Sequence, residues 1–180
     1  MIRVWLTALM LAAASAGAAQ AQDFDARRAK DVAAVVSAHG ASGALKTSDS
    51  GRIYFDGQAG GTYFAVHFQD CDAARTLCKT ALFDGSWTTK KVTADQVNRW
   101  NRWTLFCPAY IDTDQTPDVW YALSVSAHTD QADLAAAVGT WMGCLKDFDN
   151  FVADPDAFMA RVNADDHAAT SPPAGAPAPH

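Results

Sequence analysis

The chain contains no glutamate; all 20 acidic residues are aspartate. Positive charge is sparse as well, with 14 lysines and arginines in 180 residues, a formal net charge of −6 and no basic run. Nucleic acid and anionic membrane surfaces both select for clustered Lys and Arg, so neither is an expected partner. The signatures of several enzyme classes are also missing. There is no Gly-x-Ser-x-Gly elbow, and His39, His67, His128, His167 and His180 are isolated from one another along the chain. The run Gly57-Gln58-Ala59-Gly60-Gly61 lacks the lysine and following helix of a phosphate-binding loop. Cys-x-x-Cys is absent, which removes thioredoxin-like chemistry and the usual zinc-site spacing. Asp112, Asp114, Thr116 and Asp118 alternate as oxygen ligands do in a calcium loop, but the central Gly and closing acidic ligand are missing, and Pro117 marks a hairpin turn. No catalytic residue, cofactor or metal ligand is expected from these patterns.

Only one apolar run stands out, and it lies at the start. Arg3 precedes an apolar stretch over residues 4–16, and Ala19-Gln20-Ala21 supplies a small-x-small site. This is read as a secretory signal peptide, residues 1–21, with cleavage expected after Ala21. The run is too short and dilute for the roughly 18 or more apolar residues of a membrane span, so no membrane insertion is expected after its removal. The expected location is the periplasm or the exterior of a bacterium. In that oxidising setting Cys71, Cys78, Cys107 and Cys144 are read as structural disulfides. Four cysteines allow three pairings. Cys71 and Cys78 flank a loop between two expected strands, while Cys144 lies beside the apolar stripe of a long helix that could cover the strand holding Cys107. The expected pairs are therefore Cys71–Cys78 and Cys107–Cys144.

Between those landmarks the pattern alternates in period. Residues 24–39 read as a helix with Val32, Val35 and Val36 on one face and Gly40 as its stop. Strand-like runs follow at 43–48, 52–56, 62–69 and 77–84, punctuated by Asp49-Ser50-Gly51, the glycine run at 57–61 and Asp84-Gly85-Ser86. Thr93 with Gln96 is a capping box for a helix to Trp103. Strands are expected at 104–111 and 118–126, then a helix over about 130–152 in which Leu134, Val138, Trp141, Leu145, Phe148 and Val152 form one stripe. A short helix is expected over 155–163, and the Ala/Pro/Gly-rich residues 164–180 read as a disordered tail. The order α-β-β-β-β-α-β-β-α, with tight turns between successive strands, implies an α+β domain over residues 22–154: a two-layer antiparallel sheet with helices on one face.

Alternation also sorts the aromatics. If Cys107 faces the helices, Phe106 and Tyr110 point away from them, as does Trp120 on the next strand. With Tyr63 they would form an apolar patch on an uncovered sheet face, and such patches mark partner contacts.

These segments together resemble the YbjN domain family. The resemblance is carried by Gly51-Arg52-Ile53 to Asp56-Gly57, Phe68-Gln69-Asp70-Cys71, Cys78 before an apolar strand, Val97-Asn98-Arg99-Trp100-Asn101, and Ala109-Tyr110-Ile111-Asp112-x-Asp114, spanning about residues 28–152. The chain departs from the family's Asp-Gly-Asp turn with Asp114-Gln115-Thr116, and Pro108 interrupts the preceding strand. The resemblance implies a fold like that of type III secretion chaperones, frequently dimeric, and a role as a bacterial sensory transduction regulator. It brings no catalytic residues. Asn98, Trp100, Asn101 and Tyr110 are its shared positions, as packing residues or as a ligand site. The function expected is that of an exported, non-enzymatic binding or regulatory protein engaging a protein or peptide partner, or a second copy of itself, through the aromatic face. The alternatives are a periplasmic redox-responsive protein or small enzyme with a labile cysteine pair, and an envelope structural or stress protein without a discrete ligand.

Overall fold

The computed structural model of the chain describes residues 23–170, with side chains through residue 164. The expected signal peptide and residues 171–180 of the expected tail lie outside the described residues. The elements are α1 (Ala29–Ala38), β1 (Ser42–Thr47), β2 (Ile53–Ala59), β3 (Thr62–Gln69), β4 (Thr80–Ser86), α2 (Ala94–Trp103), β5 (Ala109–Ile111), β6 (Pro117–Ser124), α3 (Gln131–Ala153) and α4 (Pro155–Thr170). The six strands form one antiparallel sheet in the order β1-β2-β3-β4-β6-β5. The fold is α+β, as the sequence pattern implied.

Local chemistry accounts for the elements. Gly60 and Gly61 join β2 to β3 with φ of 58° and 94°, the backbone that a two-residue hairpin turn with right-handed strand twist demands. In β3, Phe64, Val66 and Phe68 are buried while Tyr63, Ala65 and His67 take the other face. Thr93 closes the capping box, accepting from the Gln96 N–H while the Gln96 side chain accepts from the Thr93 N–H at 2.9 Å. Asp130 caps α3 by accepting from the Asp133 N–H at 2.8 Å. Leu134, Val138, Trp141, Leu145 and Phe148 of α3 then enter the core against Phe64, Phe83 and the valines of α1.

Four expectations shift. The stripe of α3 ends on Phe151 rather than Val152, which is only half-buried. A helical face drifts along a 3.6-residue repeat, and α4 folds back so that Phe158 meets Phe151, with ring centroids 5.9 Å apart. The strand expected at 104–111 shrinks to Ala109–Ile111, because α2 claims the Thr104 N–H and the Cys107 carbonyl before it. The Cys107 carbonyl accepts from Trp100 Nε1 at 2.7 Å, Pro108 has no N–H, and the Ala109 N–H donates to Asn101 Oδ1 at 2.7 Å. The strand expected at 77–84 starts later and ends later. The Cys78 N–H is taken by the Arg27 carbonyl at 2.8 Å, while Gly85 and Ser86 pair with Val119 and Asp118 instead of turning. The last helix, expected to stop at 163, continues to Thr170.

Cys71 pairs with Cys78, and Cys107 with Cys144. These are the two pairings named from position along the chain. The second spans 37 residues and fastens α3 to the segment between α2 and β5.

Candidate functional site

One sheet face is filled by Phe55, Phe64, Val66, Phe68, Ala81, Phe83 and Val119 under the helices. The other alternates outward through Tyr54, Tyr63, His67, Leu82, Asp84, Asp118, Trp120 and Tyr110. Among its described strand positions only Asp118 is buried, so no element among the described residues covers this face.

All four aromatics expected on the face are exposed: Tyr63 at 69 %, Phe106 at 62 %, Tyr110 at 43 % and Trp120 at 36 %. The structure does not gather them into one apolar patch. Tyr110 and Trp120 are neighbours, since Tyr110 sits opposite Asp118 and Trp120 lies two residues further along β6. Tyr63 is separated from them by β4, which sets Asp84 directly between Ala65 and Trp120. Phe106 lies in the turn after α2 and belongs to no strand, so alternation does not place it; its neighbour Leu105, overlooked in the sequence, is more exposed still at 89 %.

What lies among the aromatics is acid. Burial raises the pKa of Asp84, the field of Asp112 adds to the rise, and His67 opposes it. Burial also raises that of Asp118, which is 4 % exposed; Ser86 lowers it by hydrogen bonding, and Asp84, Asp112 and Asp114 raise it further. Desolvation and the fields of Asp118, Asp84 and Asp112 hold the Tyr110 hydroxyl above its ordinary range. Beside this group runs a groove of about 230 Å³, lined by Arg52, His67, Leu82, Asp84 and Tyr110. His67 stacks on Tyr54 with centroids 6.0 Å apart. Alternation along the expected strand 77–84 already sets Asp84 on the face opposite Phe83; the Asp-Gly-Ser triplet reads as a turn because each of its residues favours turns in isolation.

Asp112 and Asp114 each give one carboxylate oxygen to the turn before β6. Asp112 Oδ1 accepts from the Thr113 N–H at 2.7 Å, and Asp114 Oδ1 accepts from the Thr116 N–H at 3.1 Å. Among the described residues no group of His, Cys or Asp is arranged to hold a metal ion, and no helix is long and apolar enough to cross a membrane.

A family model named YbjN, described as "Putative bacterial sensory transduction regulator", matches residues 28–154. The chain belongs to the YbjN family. No curated protein and no solved structure gives a significant match.

The YbjN motif around α2 does structural work here. Trp100 is fully buried, packed on Trp103, Phe148, Phe151 and Phe158 at centroid distances of 4.9–5.7 Å. Asn101 donates from Nδ2 to the Ala109 carbonyl at 2.9 Å and accepts from the Ala109 N–H, so both its amide atoms hold the start of β5. Trp100 and Asn101 thus lie away from the open face, and Asn98 is exposed on α2. Of the shared YbjN positions only Tyr110 reaches the open face.

The raised carboxylates make stability pH-dependent with a definite sign. The folded state binds protons at Asp84 and Asp118 at a pH where the unfolded chain has released them, so stability rises as pH falls through their folded pKa values toward the ordinary carboxylate range. Asp118→Asn is expected to raise the thermal midpoint near pH 7, with the gain fading as pH approaches 4. Melting curves over that range check it; a gain constant with pH would show that ionisation of Asp118 is not its source.

Proposed function

We propose that this YbjN-family protein is an exported, non-enzymatic binding and regulatory module that engages a protein partner through the open face of its sheet. The observation that carries the reading is the uncovered face itself, with Tyr63, Tyr110 and Trp120 exposed on strands whose opposite side is a packed core. An exposed aromatic surface rimmed by polar groups is a common form of interaction site. The family's description supports a regulatory role. Two cysteine pairs at bonding distance suit an oxidising compartment, in keeping with the N-terminal leader pattern.

The test compares the wild-type protein with a Tyr110→Ala/Trp120→Ala variant as bait in a periplasmic extract. Both side chains leave the core untouched, so thermal midpoints should agree. Specific partners of the wild type are expected to be lost by the variant. Equal retention of every partner by a correctly folded variant would remove the basis of the reading.

A further inference from the structure

We infer that the open face docks an extended, cationic segment of a partner protein, with arginine or lysine side chains seated among Asp84, Asp118 and Asp112 against the rings of Tyr110 and Trp120. The inference rests on the reading that this face is the binding surface, and it adds the chemistry of the occupant.

Charge complementarity is the first argument. The ion pairs among the described residues are Arg27–Asp25, Arg28–Asp31, Lys46–Asp56 and Arg99–Asp156, so Asp84, Asp112 and Asp118 make no ion pair there, and His67 reaches Asp84 only through its field. Arg52 lines the same groove, but its Nε donates to Ser50 Oγ at 3.2 Å. A carboxylate 4 % exposed among other carboxylates is costly without a cation, and an incoming guanidinium or ammonium would relieve that cost.

Ring geometry is the second. Tyr110 and Trp120 present exposed aromatic surface beside those carboxylates, the pairing that recognises a guanidinium through its plane and its edge at once.

Spacing is the third. Asp84 lies opposite Trp120, and Ser86 opposite Asp118, so the two carboxylates are diagonal neighbours across β4 and β6. Such diagonals span about 7–8 Å, close to the roughly 6.6 Å between alternate side chains of an extended chain.

A second copy of this chain fits poorly. A two-fold contact through this face would bring Asp84 and Asp118 toward their own equivalents in a protein already carrying a net charge of −6.

The probes are two synthetic extended peptides of one apolar sequence, carrying arginine at alternate positions in one and glutamate in the other. Binding to the purified full chain is read by titration calorimetry. The arginine peptide is expected to bind and the glutamate peptide not, with affinity falling as salt rises from about 50 to about 500 mM. Asp84→Asn/Asp118→Asn is expected to weaken binding about tenfold or more. Asp49→Asn/Asp95→Asn, which removes the same charge away from the face, should leave affinity within about twofold. Equal binding of the two peptides, no binding of the arginine peptide, or an equal loss in both charge variants would overturn the cationic occupant. The face itself is judged separately, by whether Trp120→Ala lowers affinity for whichever peptide binds. A dimer in sedimentation that dissociates on Trp120→Ala would also overturn the inference, in favour of a second copy.

Discussion

Replacing Cys107 and Cys144 together by alanine is expected to lower the stability of the protein by about 4 kcal/mol. The pair closes a loop of 37 residues, whereas Cys71 and Cys78 are 7 apart. Loop-closure entropy grows with the logarithm of that separation, which puts the shorter pair at about 2.5 kcal/mol. The longer bond also ties α3, which carries Cys144, to the irregular segment between α2 and β5, which carries Cys107. Alanine is preferred to serine because Cys107 is fully buried, and a hydroxyl there would add a desolvation cost unrelated to the bond. Urea unfolding of the oxidised wild type and both alanine pairs measures the difference. A midpoint shift for Cys107/Cys144 no larger than that for Cys71/Cys78 would refute the assignment of the longer bond as the main clamp. Because single domains are stable by only about 5–15 kcal/mol, the variant should be visibly marginal at physiological temperature.

Trp100→Ala should cost about 3–5 kcal/mol from lost packing alone. Trp100 is the hub of an aromatic cluster built from α2, α3 and α4, and its indole N–H satisfies the buried Cys107 carbonyl at 2.7 Å. Trp100→Phe separates the two contributions. It keeps much of the ring packing and orphans the carbonyl, for an expected cost of about 1–3 kcal/mol. Since Trp100 and Cys107 share that carbonyl, Trp100→Phe combined with the Cys107/Cys144 alanine pair should cost less than the sum of the separate changes. Chemical unfolding of the four proteins checks this, and strict additivity would show that the indole hydrogen bond and the disulfide hold the segment independently.

Much of the architecture was legible because its causes are local. The capping box at Thr93, the apolar stripe of α3 and the alternation of β3 each follow from residues a few positions apart, and each stands in the structure where the pattern put it, the stripe as far as Phe148. Boundaries failed where a residue's backbone was claimed from far away. Residues 104–108 read as strand by composition, yet Trp100 takes the hydrogen bonds of the Thr104 N–H and the Cys107 carbonyl. Asp84-Gly85-Ser86 read as a turn, yet β6 pairs with all three.

The candidate face shows the same division. Alternation along each strand sufficed to turn Tyr63, Tyr110 and Trp120 away from the core, because side-chain direction in a strand is a property of neighbouring residues. Which strands lie beside one another is not such a property. Only the tertiary structure set β4 between β3 and β6, and with it placed Asp84 and the buried Asp118 among the aromatics. Strand order is decided by the summed packing of both sheet faces and the helices over one of them, so the acidic character of this face emerges only once the whole domain has folded.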